Sequence, residues 1–561
     1  MSYLAPRLAF ACLLLLVAAA GPARAQSLET EMLGTDNFSH VTNLQYEQRY
    51  DSGGNHGSDI EFFDITVDTA AGTPPPAAAP VGKVKGRKTS RAARRAAARA
   101  RKAYARCAKQ ARRKKGAKRR AALRKCRKQR ARALTRARRA AADVDPTAAG
   151  VQRTFAFAGT YYNGLQIVDV SDPETPRIVA NYDCAIAQGD VQVFRRDDLG
   201  GRVFVGYGAD DPYSNNTESA CYQEAAELGF DTEENGNSGT FIIDVTDPHR
   251  PRTVSFVPFE KGSHNLTIHP SGKYLYNSNS DTIATLQPGI EVADITDLSQ
   301  PKEVAVVPLD YRPGLGSESH DISFSADGTR AYSAAVSQGV ILDTSNPAAP
   351  TVVSTIFDPS VNVWHQAEVV QASVPGAGER TLLIGADEFA GATPTGQCPN
   401  GGLHVYDVTG PLENAPVKLG YWNFDEVRAT EGGGGCTAHV FQLWREQNIM
   451  LIANYNGGAH VLDIAALAGL GFGGTATANM VELGRARFRD SNLWAVKSAR
   501  FDRKGVSYLF GNDGFRGLDV FRFDGAKPSL VNRGRWYPAG SEPTAARLGG
   551  AAVAPLLLRV K

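Results

Sequence analysis

One ten-residue pattern recurs along this chain and constrains its fold more than any other feature. Each copy has alternating apolar residues after a glycine, then an aspartate, and commonly Thr or Ser, Asp and Pro. The copies are GLQIVDVSDP from Gly164, GTFIIDVTDP from Gly239, GIEVADITDL from Gly289, QGVILDTSNP from Gln338, GLHVYDVTGP from Gly402, GAHVLDIAAL from Gly458 and a weaker GLDVFRFDG from Gly517. Their starts lie 75, 50, 49, 64, 56 and 59 residues apart, which indicates a constant core with variable loops.

The period-two alternation of each copy predicts a β-strand. An Asp-Pro turn and a further extended segment follow, and two more strand candidates precede each copy, as in HDISFSADG and TRAYSAAV of the fourth unit. Four antiparallel strands in each of seven units predict an all-β, seven-bladed β-propeller over residues 35–530, with a tail at 531–561. A β-sandwich would not contain seven copies of one signature.

The chain start supports a closed ring. HVTNLQYEQRYD resembles the outer strand of a blade and precedes SDIEFFDITV, which resembles a first strand. The N-terminal segment is therefore expected to complete the last blade. Arg522 stands where the other copies have aspartate, which predicts a distorted seventh blade.

The segments IVDVSDP, IIDVTDP, VADITDL and VYDVTGP resemble the LVIVD repeat family of secreted and cell-surface β-propellers. This resemblance implies a propeller at a bacterial or archaeal surface. It implies no settled biochemical activity.

A basic segment interrupts the first blade. Residues 83–139 hold 28 Lys or Arg and no acid, whereas the rest of the chain after residue 25 carries a net charge of −26. Together with a Pro/Ala-rich linker, the insert spans residues 73–149. Its composition predicts either a helical hairpin closed by Cys107–Cys126 or a solvated, disordered loop.

The insert is also a candidate for binding anionic cell-wall polymer or phospholipid. The expected contacts are Arg112, Arg113, Lys114, Lys115, Lys118, Arg119 and Arg120. Tyr104 is its only aromatic residue, which argues against sequence-specific nucleic-acid binding.

Residues 1–25 have the pattern of a secretory signal peptide, with Arg7, the apolar run LAFACLLLLVAAA and the cleavage site Ala23-Arg24-Ala25. The run is too short to span a membrane, and no transmembrane helix is expected. The sequence thus predicts a secreted or cell-surface protein. In an oxidising compartment, disulfides Cys184–Cys221 and Cys398–Cys436 are expected, with buried free thiols as the alternative.

Histidines mark the first strands of four consecutive units: His264, His320, His365 and His439. Because innermost strands line a propeller's channel, we expect these imidazoles to converge at one mouth. Asp190, Asp59 and Lys497 are expected beside them, with Asp387 and Glu388 approaching the same face. Imidazoles and carboxylates of this kind suit a transition metal, for which His264, His320, His365, His439 and Asp190 are the candidate ligands.

Two functions remain open at this stage. The first is a binding or scaffolding module at the cell surface, with a protein or glycan partner and the basic insert on an anionic polymer. The alternative is a secreted metal-dependent enzyme; methanethiol oxidases, which are distant propeller enzymes, hold copper with channel histidines. Each histidine could instead cap a strand end by bonding to the backbone of a neighbouring blade. HExxH, GxSxG and P-loop motifs are absent.

Overall fold

Seven antiparallel β-sheets make up the structure, which is a computed structural model. It describes residues 32–33, 37–47, 55–67, 151–210, 215–233, 237–259, 262–279, 288–312, 318–374, 376, 378–388, 401–424, 437–469, 480–525 and 534–539, with residues 106, 107, 109, 118 and 125 of the insert.

The strands follow one another with a single described α-helix of full length, α1 (Ala220–Leu228). In chain order they are β1 (Phe38–Leu44), β2 (Gly57–Val67), β3 (Val151–Thr160), β4 (Leu165–Asp169), β5 (Arg177–Tyr182), β6 (Gln188–Arg196), β7 (Arg202–Ala209), β8 (Gly239–Asp244), β9 (Arg252–Pro258), β10 (Asn265–Ile268), β11 (Tyr274–Ser278), β12 (Gly289–Asp294), β13 (Lys302–Pro308), β14 (Asp321–Phe324), β15 (Arg330–Ala335), β16 (Gln338–Asp343), β17 (Thr351–Ile356), β18 (Trp364–Val374), β19 (Gly378–Asp387), β20 (Leu403–Asp407), β21 (Val417–Phe424), β22 (Phe441–Trp444), β23 (Ile449–Ala453), β24 (Ala459–Asp463), β25 (Val481–Ala486), β26 (Leu493–Lys497), β27 (Ser507–Asp513), β28 (Gly517–Phe523) and β29 (Gly534–Pro538). Short 3-10 turns lie at Asp197–Leu199, Gly410–Asn414, Arg445–Gln447 and Ala465–Gly469.

The sheets are the blades of a propeller, which confirms the expected fold. Blades 1 to 4 are β2–β5, β6–β9, β10–β13 and β14–β17; blade 5 is β18–β21 with β29 on its outer edge; blade 6 is β22–β25; blade 7 is β26–β28 with β1 on its outer edge. The first strands contact one another around the ring and line its channel. Strand β29 falls within the segment expected to be a tail.

The recurring sequence pattern forms the third strand of every blade, and in blades 1 to 6 its aspartate caps the turn that follows. The Asp244 carboxylate accepts the N–H and the hydroxyl of Thr246 at 3.1 and 2.7 Å. Asp407 and Thr409 make the same pair of bonds at 2.9 and 2.5 Å. The Asp-x-Ser/Thr spacing is therefore a local turn device that leads the chain into the fourth strand.

The distortion expected at Arg522 is absent from the β27–β28 ladder, and the register shifts of blade 7 lie between His40 and Thr42 of β1 and between Leu493 and Ala495 of β26. Strands β27 and β28 pair in an unbroken register from Ser507↔Phe523 to Asp513↔Gly517. Because β1 supplies the outer strand of this blade, no turn into a fourth strand follows β28. The capping aspartate has no role there, and Arg522 instead pairs with Asp524 at 2.9 Å.

The N-terminal strand closes the ring as the sequence predicts. Strand β1 pairs antiparallel with β28 from Phe38↔Phe523 to Leu44↔Leu518. The buried ring of Phe38 packs against Phe521 and Phe523 with centroids 6.1 and 5.4 Å away.

Neighbouring blades pack through apolar faces whose shapes interlock. The indole of Trp364 is fully buried and lies over Gly339 of blade 4 and Gly385 of blade 5. A Cβ at either glycine would come within 2.9 or 2.6 Å of that ring. Only glycine allows this close approach in the dense core.

The insert joins β2 to β3, so it is an excursion between the first two strands of blade 1. The five described residues within it are helical. Of the seven expected polyanion contacts, Lys118 is described and is exposed, and the other six lie outside the described residues.

The disulfide Cys184–Cys221 is present, with the two Cα atoms 5.1 Å apart. It ties α1 to the loop that precedes β6. Cys107 is disulfide-bonded, whereas Cys126, Cys398 and Cys436 lie outside the described residues, as does the expected signal peptide. No described helix is long and apolar enough to cross a membrane.

We expect Phe38→Ala to lower the free energy of unfolding by about 3–5 kcal/mol, because it empties the contact that seats the closing strand. Urea denaturation measures the change. The control is Val306→Ala on β13, where a side chain that is 50% exposed should matter by less than about 0.5 kcal/mol. Equal effects of the two substitutions would show that β1 does not secure the ring.

The Asp244 carboxylate predicts a pH-dependent contribution to stability. Burial alone would raise its pKa, but Arg202, Thr246 and Arg252 outweigh burial and hold the pKa below its usual range. The stabilisation is therefore full above the unfolded pKa of about 4 and is lost as the pH falls through the folded pKa. Asp244→Asn should cost about 1–3 kcal/mol at pH 7 and progressively less below about pH 4.

Urea denaturation between pH 7 and pH 3 tests this expectation. Asp294→Asn is the matched control, since Asp294 accepts the Thr296 N–H at 2.8 Å and has no arginine partner among the described residues. A cost of Asp244→Asn that stays constant across this pH range would contradict the assignment.

Candidate metal centre

Four histidines form a continuous row at one end of the channel. His264 directly precedes β10, His320 directly precedes β14, His365 is the second residue of β18, and His439 lies just before β22. The ring centroids of consecutive histidines are 4.7, 4.1 and 4.1 Å apart. The structure thus brings the four histidines of blades 3 to 6 together; we call this end the mouth and the opposite end the far face.

Backbone carbonyls orient two of these imidazoles through Nδ1. His320 Nδ1 donates to the carbonyl of His365 at 3.0 Å, and His439 Nδ1 donates to the carbonyl of Trp494 at 2.6 Å. His439 Nε2 and His365 Nδ1 are buried and have no hydrogen-bond partner among the described residues. An Nδ1–H bonded to a carbonyl with Nε2 left over is the arrangement of metal-binding histidines.

Glu388 brings a carboxylate to the same point. It follows β19, and its N–H donates to the carbonyl of Val363 at 3.0 Å. Its Oε2 lies 3.6 Å from His365 Nε2 and its Oε1 lies 3.8 Å from His439 Nε2. One donor atom from each of His320, His365 and Glu388 lies within 4.8 Å of the others. We call His320, His365, His439 and Glu388 the mouth cluster.

Burial sets the protonation of the mouth cluster. It lowers the pKa of His320 and of His365 well below the usual value, and neighbouring histidines lower both further. Burial also lowers the pKa of His439 to about 3 and raises that of Glu388 to about 7. The three imidazoles are therefore neutral at pH 7, with lone pairs available to a ligand.

His264 differs from the other three histidines because both of its nitrogens are engaged. Its Nδ1 donates to Asp210 Oδ2 at 2.8 Å, and the Gln188 side-chain amide donates to its Nε2 at 3.2 Å. The sequence predicts that His264 is a metal ligand like the other three histidines. In the structure His264 lies next to the mouth cluster and is not one of its members.

Asp190, Asp59 and Lys497 lie at another level of the channel. Ser58 Oγ donates to the carbonyl of Gly189 at 3.0 Å, the same blade-to-blade contact that His320 and His439 make. The histidine positions of blades 1, 2 and 7 are therefore Ser58, Gly189 and Trp494. Asp59 and Asp190 come one residue later, and Lys497 comes three residues later.

These three residues belong to a buried ion cluster. Lys497 Nζ lies 2.8 Å from an oxygen of Asp59 and 2.8 Å from an oxygen of Glu61. Asp190 accepts the N–H of Leu266 at 2.8 Å, and burial followed by the charge of Asp59 raises its pKa. Asp190 is therefore no part of the mouth cluster.

Asp387 supports the mouth cluster from behind. Its buried carboxylate accepts the N–H groups of Asn362 and Val363 at 3.2 and 2.9 Å, and the Asn362 amide at 2.9 Å. These bonds fix the segment that leads into His365. His404 Nε2 lies 3.6 Å from Oδ2 of the same carboxylate.

Strained backbone gathers at the mouth. Tyr162, Val336 and Tyr455 have φ of 65°, 51° and 46°, and each lies in the hairpin between the second and third strands of its blade. Gln188, at the start of β6, has φ of 67°. A β-branched residue such as Val336 seldom adopts this conformation. Strain of this kind persists at functional sites, where the surrounding structure holds it in place.

Sequence reasoning missed three aromatic residues at the mouth. Trp494 packs edge-on against His439 at 4.8 Å, against Tyr455 at 5.7 Å and against Tyr161 at 5.6 Å. The position of Tyr455 and Tyr161 in second-to-third-strand hairpins, which open at this end, is the signal that could have found them.

Two segments of the chain match the LVIVD repeat family, residues 151–184 and 325–358. They cover the second to fourth strands of blades 1 and 4, so one repeat corresponds to three strands of a blade. No curated protein matches the chain.

Many solved structures share the architecture at low similarity. The chain is 15% identical to the periplasmic gluconolactonase PpgL of Pseudomonas aeruginosa, covering 59% of this chain and 96% of that one with a TM-score of 0.30. It is 14% identical to a protein of unknown function from Desulfotomaculum acetoxidans, with coverages of 59% and 84% and a TM-score of 0.36. Such distant likenesses carry no argument about activity. The strand order, the position of the repeat and the two family matches together identify the chain as a seven-bladed β-propeller built on LVIVD repeats.

Proposed function

We propose that this propeller binds a transition-metal ion at its mouth, through Nε2 of His320 and His439, a ring nitrogen of His365 and the carboxylate of Glu388. The observation that carries the proposal is the approach of His365 Nε2 and His439 Nε2 to the Glu388 carboxylate, at 3.6 and 3.8 Å. His439 Nε2 is buried and has no hydrogen-bond partner among the described residues. A buried polar atom without a partner is costly, and a metal ion would satisfy this one.

The spacing of the donor atoms fits such an ion. Tetrahedral bonds of 2.0–2.1 Å place neighbouring ligand atoms about 3.4 Å apart. His365 Nε2 lies 3.6 Å from Glu388 Oε2, which is close to that value, and the donor atoms of His320, His365 and Glu388 lie within 4.8 Å of one another. Small side-chain shifts would therefore complete the coordination.

The ligand types narrow the choice of metal and its use. Imidazoles favour zinc, copper, iron or nickel over calcium and magnesium, which take oxygen ligands. Glu388 is 21% exposed, so the site is open to the mouth. A metal held this way keeps access for a small molecule, which is the property of catalytic rather than closed structural sites.

We expect the chain from Gln26 onward, purified without chelator or nickel resin, to contain about one equivalent of transition metal by elemental analysis. His320→Ala/His365→Ala should lose it. The control is His269→Gln, which replaces a histidine already bonded to Ser271 Oγ at 2.9 Å and to the Gly328 carbonyl at 3.0 Å.

The control should retain the metal. Absence of metal from the parent even after incubation with zinc, copper and ferrous salts would overturn the proposal. Equal loss from His269→Gln would do so as well, because the effect would then not belong to the mouth.

A second function, binding of an anionic surface polymer by the basic insert, is supported by where the insert leaves the propeller. Gly57 and Ser58 lie at the mouth, and the eleven residues of β2 run about 33 Å toward the far face. Val67 and Val151 pair at that end and flank the insert. A polymer bound at the far face could attach the protein to a surface and leave the mouth accessible.

Binding to polyphosphate tests this second function. The affinity for polyphosphate should fall roughly 100-fold or more between 50 and 200 mM salt, because each phosphate contact releases counterions. Deleting residues 83–139 should abolish binding and leave the metal content unchanged. Binding that is insensitive to salt or to the deletion would exclude the insert as the binding element.

A further inference from the structure

Tyr455 combines a left-handed backbone with a side-chain hydrogen bond to the mouth cluster. It lies in the hairpin between β23 and β24 of blade 6. Its N–H donates to the carbonyl of Leu493 in blade 7 at 3.1 Å, and its carbonyl accepts the Leu493 N–H at 3.2 Å. This two-bond bridge between blades holds Tyr455 at φ of 46°, in the left-handed region.

The side chain of Tyr455 reaches across to blade 5. Its hydroxyl donates to Oε1 of Glu388. Among the described residues it is the one hydrogen-bond donor to that carboxylate. The phenol ring lies 4.4 Å from the His439 ring and 5.7 Å from the Trp494 ring, so neighbours on two sides limit its rotation.

We propose that Tyr455 is a positioning residue for the metal site, which fixes Oε1 of Glu388 and thereby turns Oε2 toward the metal. The inference rests on the proposed function, because it assigns a role within that same site. A glutamate side chain free to rotate would spend part of its time facing away from His365. Hydrogen bonds of this kind orient ligating carboxylates, and removing them typically weakens metal binding 10- to 100-fold.

The backbone strain fits this role better than a packing role. A phenylalanine in an unstrained loop would fill the space between His439 and Trp494. The bridge to Leu493 instead forces a left-handed residue, and the result is a hydroxyl directed at Glu388. Strain kept where it orients a functional group is a recognised form of preorganisation.

The test compares Tyr455→Phe with the parent protein by titration of the metal-free chain with Co²⁺ and Zn²⁺. We expect Tyr455→Phe to bind both ions 10- to 100-fold more weakly and to shift the visible absorption bands of bound Co²⁺. Glu388→Gln marks the effect of losing the carboxylate itself.

The matched control is Tyr406→Phe. Tyr406 is a buried tyrosine of blade 5 whose hydroxyl donates at 2.6 Å to Oδ2 of Asp358, a carboxylate that is not a member of the mouth cluster. Both tyrosine substitutions remove a bond from phenol to carboxylate and should lower the melting temperature similarly. Only Tyr455→Phe should change metal affinity and the Co²⁺ spectrum.

Unchanged affinity and spectrum in Tyr455→Phe would overturn the inference while leaving the metal site intact. Failure of the parent to bind either ion would overturn the proposed function itself. If Tyr455→Phe does not fold, Tyr455→Asn replaces it, since asparagine tolerates the left-handed backbone and is too short to reach Glu388.

Discussion

Pairing between β1 and β28 closes the ring of seven blades. The backbone ladder between β1 and β28 is reinforced by a buried charge, because Asp519 accepts bonds from His40 and Asn43 of β1 at 2.9 Å each. The same carboxylate binds the buried Arg516 at 2.7 Å. The closing strand is thus recognised by specific side chains as well as by its edge. A propeller without this contact would have two open edges and no fixed channel.

The mouth depends on that closure because its parts come from separate blades. Several contacts there run from a side chain of one blade to a carbonyl of the next, as with His439 and Trp494. Tyr455 joins blade 6 to blade 7 by its backbone and to blade 5 by its hydroxyl. A site assembled in this way forms only when the blades keep their relative positions, whereas a site on one loop would tolerate movement between blades.

Sequence reasoning predicted the architecture because the repeat is local. The alternation in each copy, the aspartate turn and the outer strand at the chain start need only neighbouring residues. Sequence reasoning also placed the histidines that precede β10 and β14 correctly, since these two strands pair with their neighbours without interruption. It set Asp59, Asp190 and Lys497 level with the histidines, whereas the structure places Asp59 and Asp190 one residue, and Lys497 three residues, beyond the equivalent positions. No pattern within blade 6 reveals that Tyr455 meets Glu388, 67 residues away.

Ring closure can take place only late in synthesis of the chain. Strand β1 is among the first segments to be made and its partner is among the last, with His40 and Asp519 separated by 479 positions in the sequence. Until the final blade emerges, both edges of the growing sheet array remain unpaired and able to join other chains. Contacts so distant in sequence also form slowly. Chaperones would therefore encounter this protein chiefly as an unclosed arc of blades. A chain that terminates before β28 could not close the ring, and its unpaired strand edges would stay prone to aggregation.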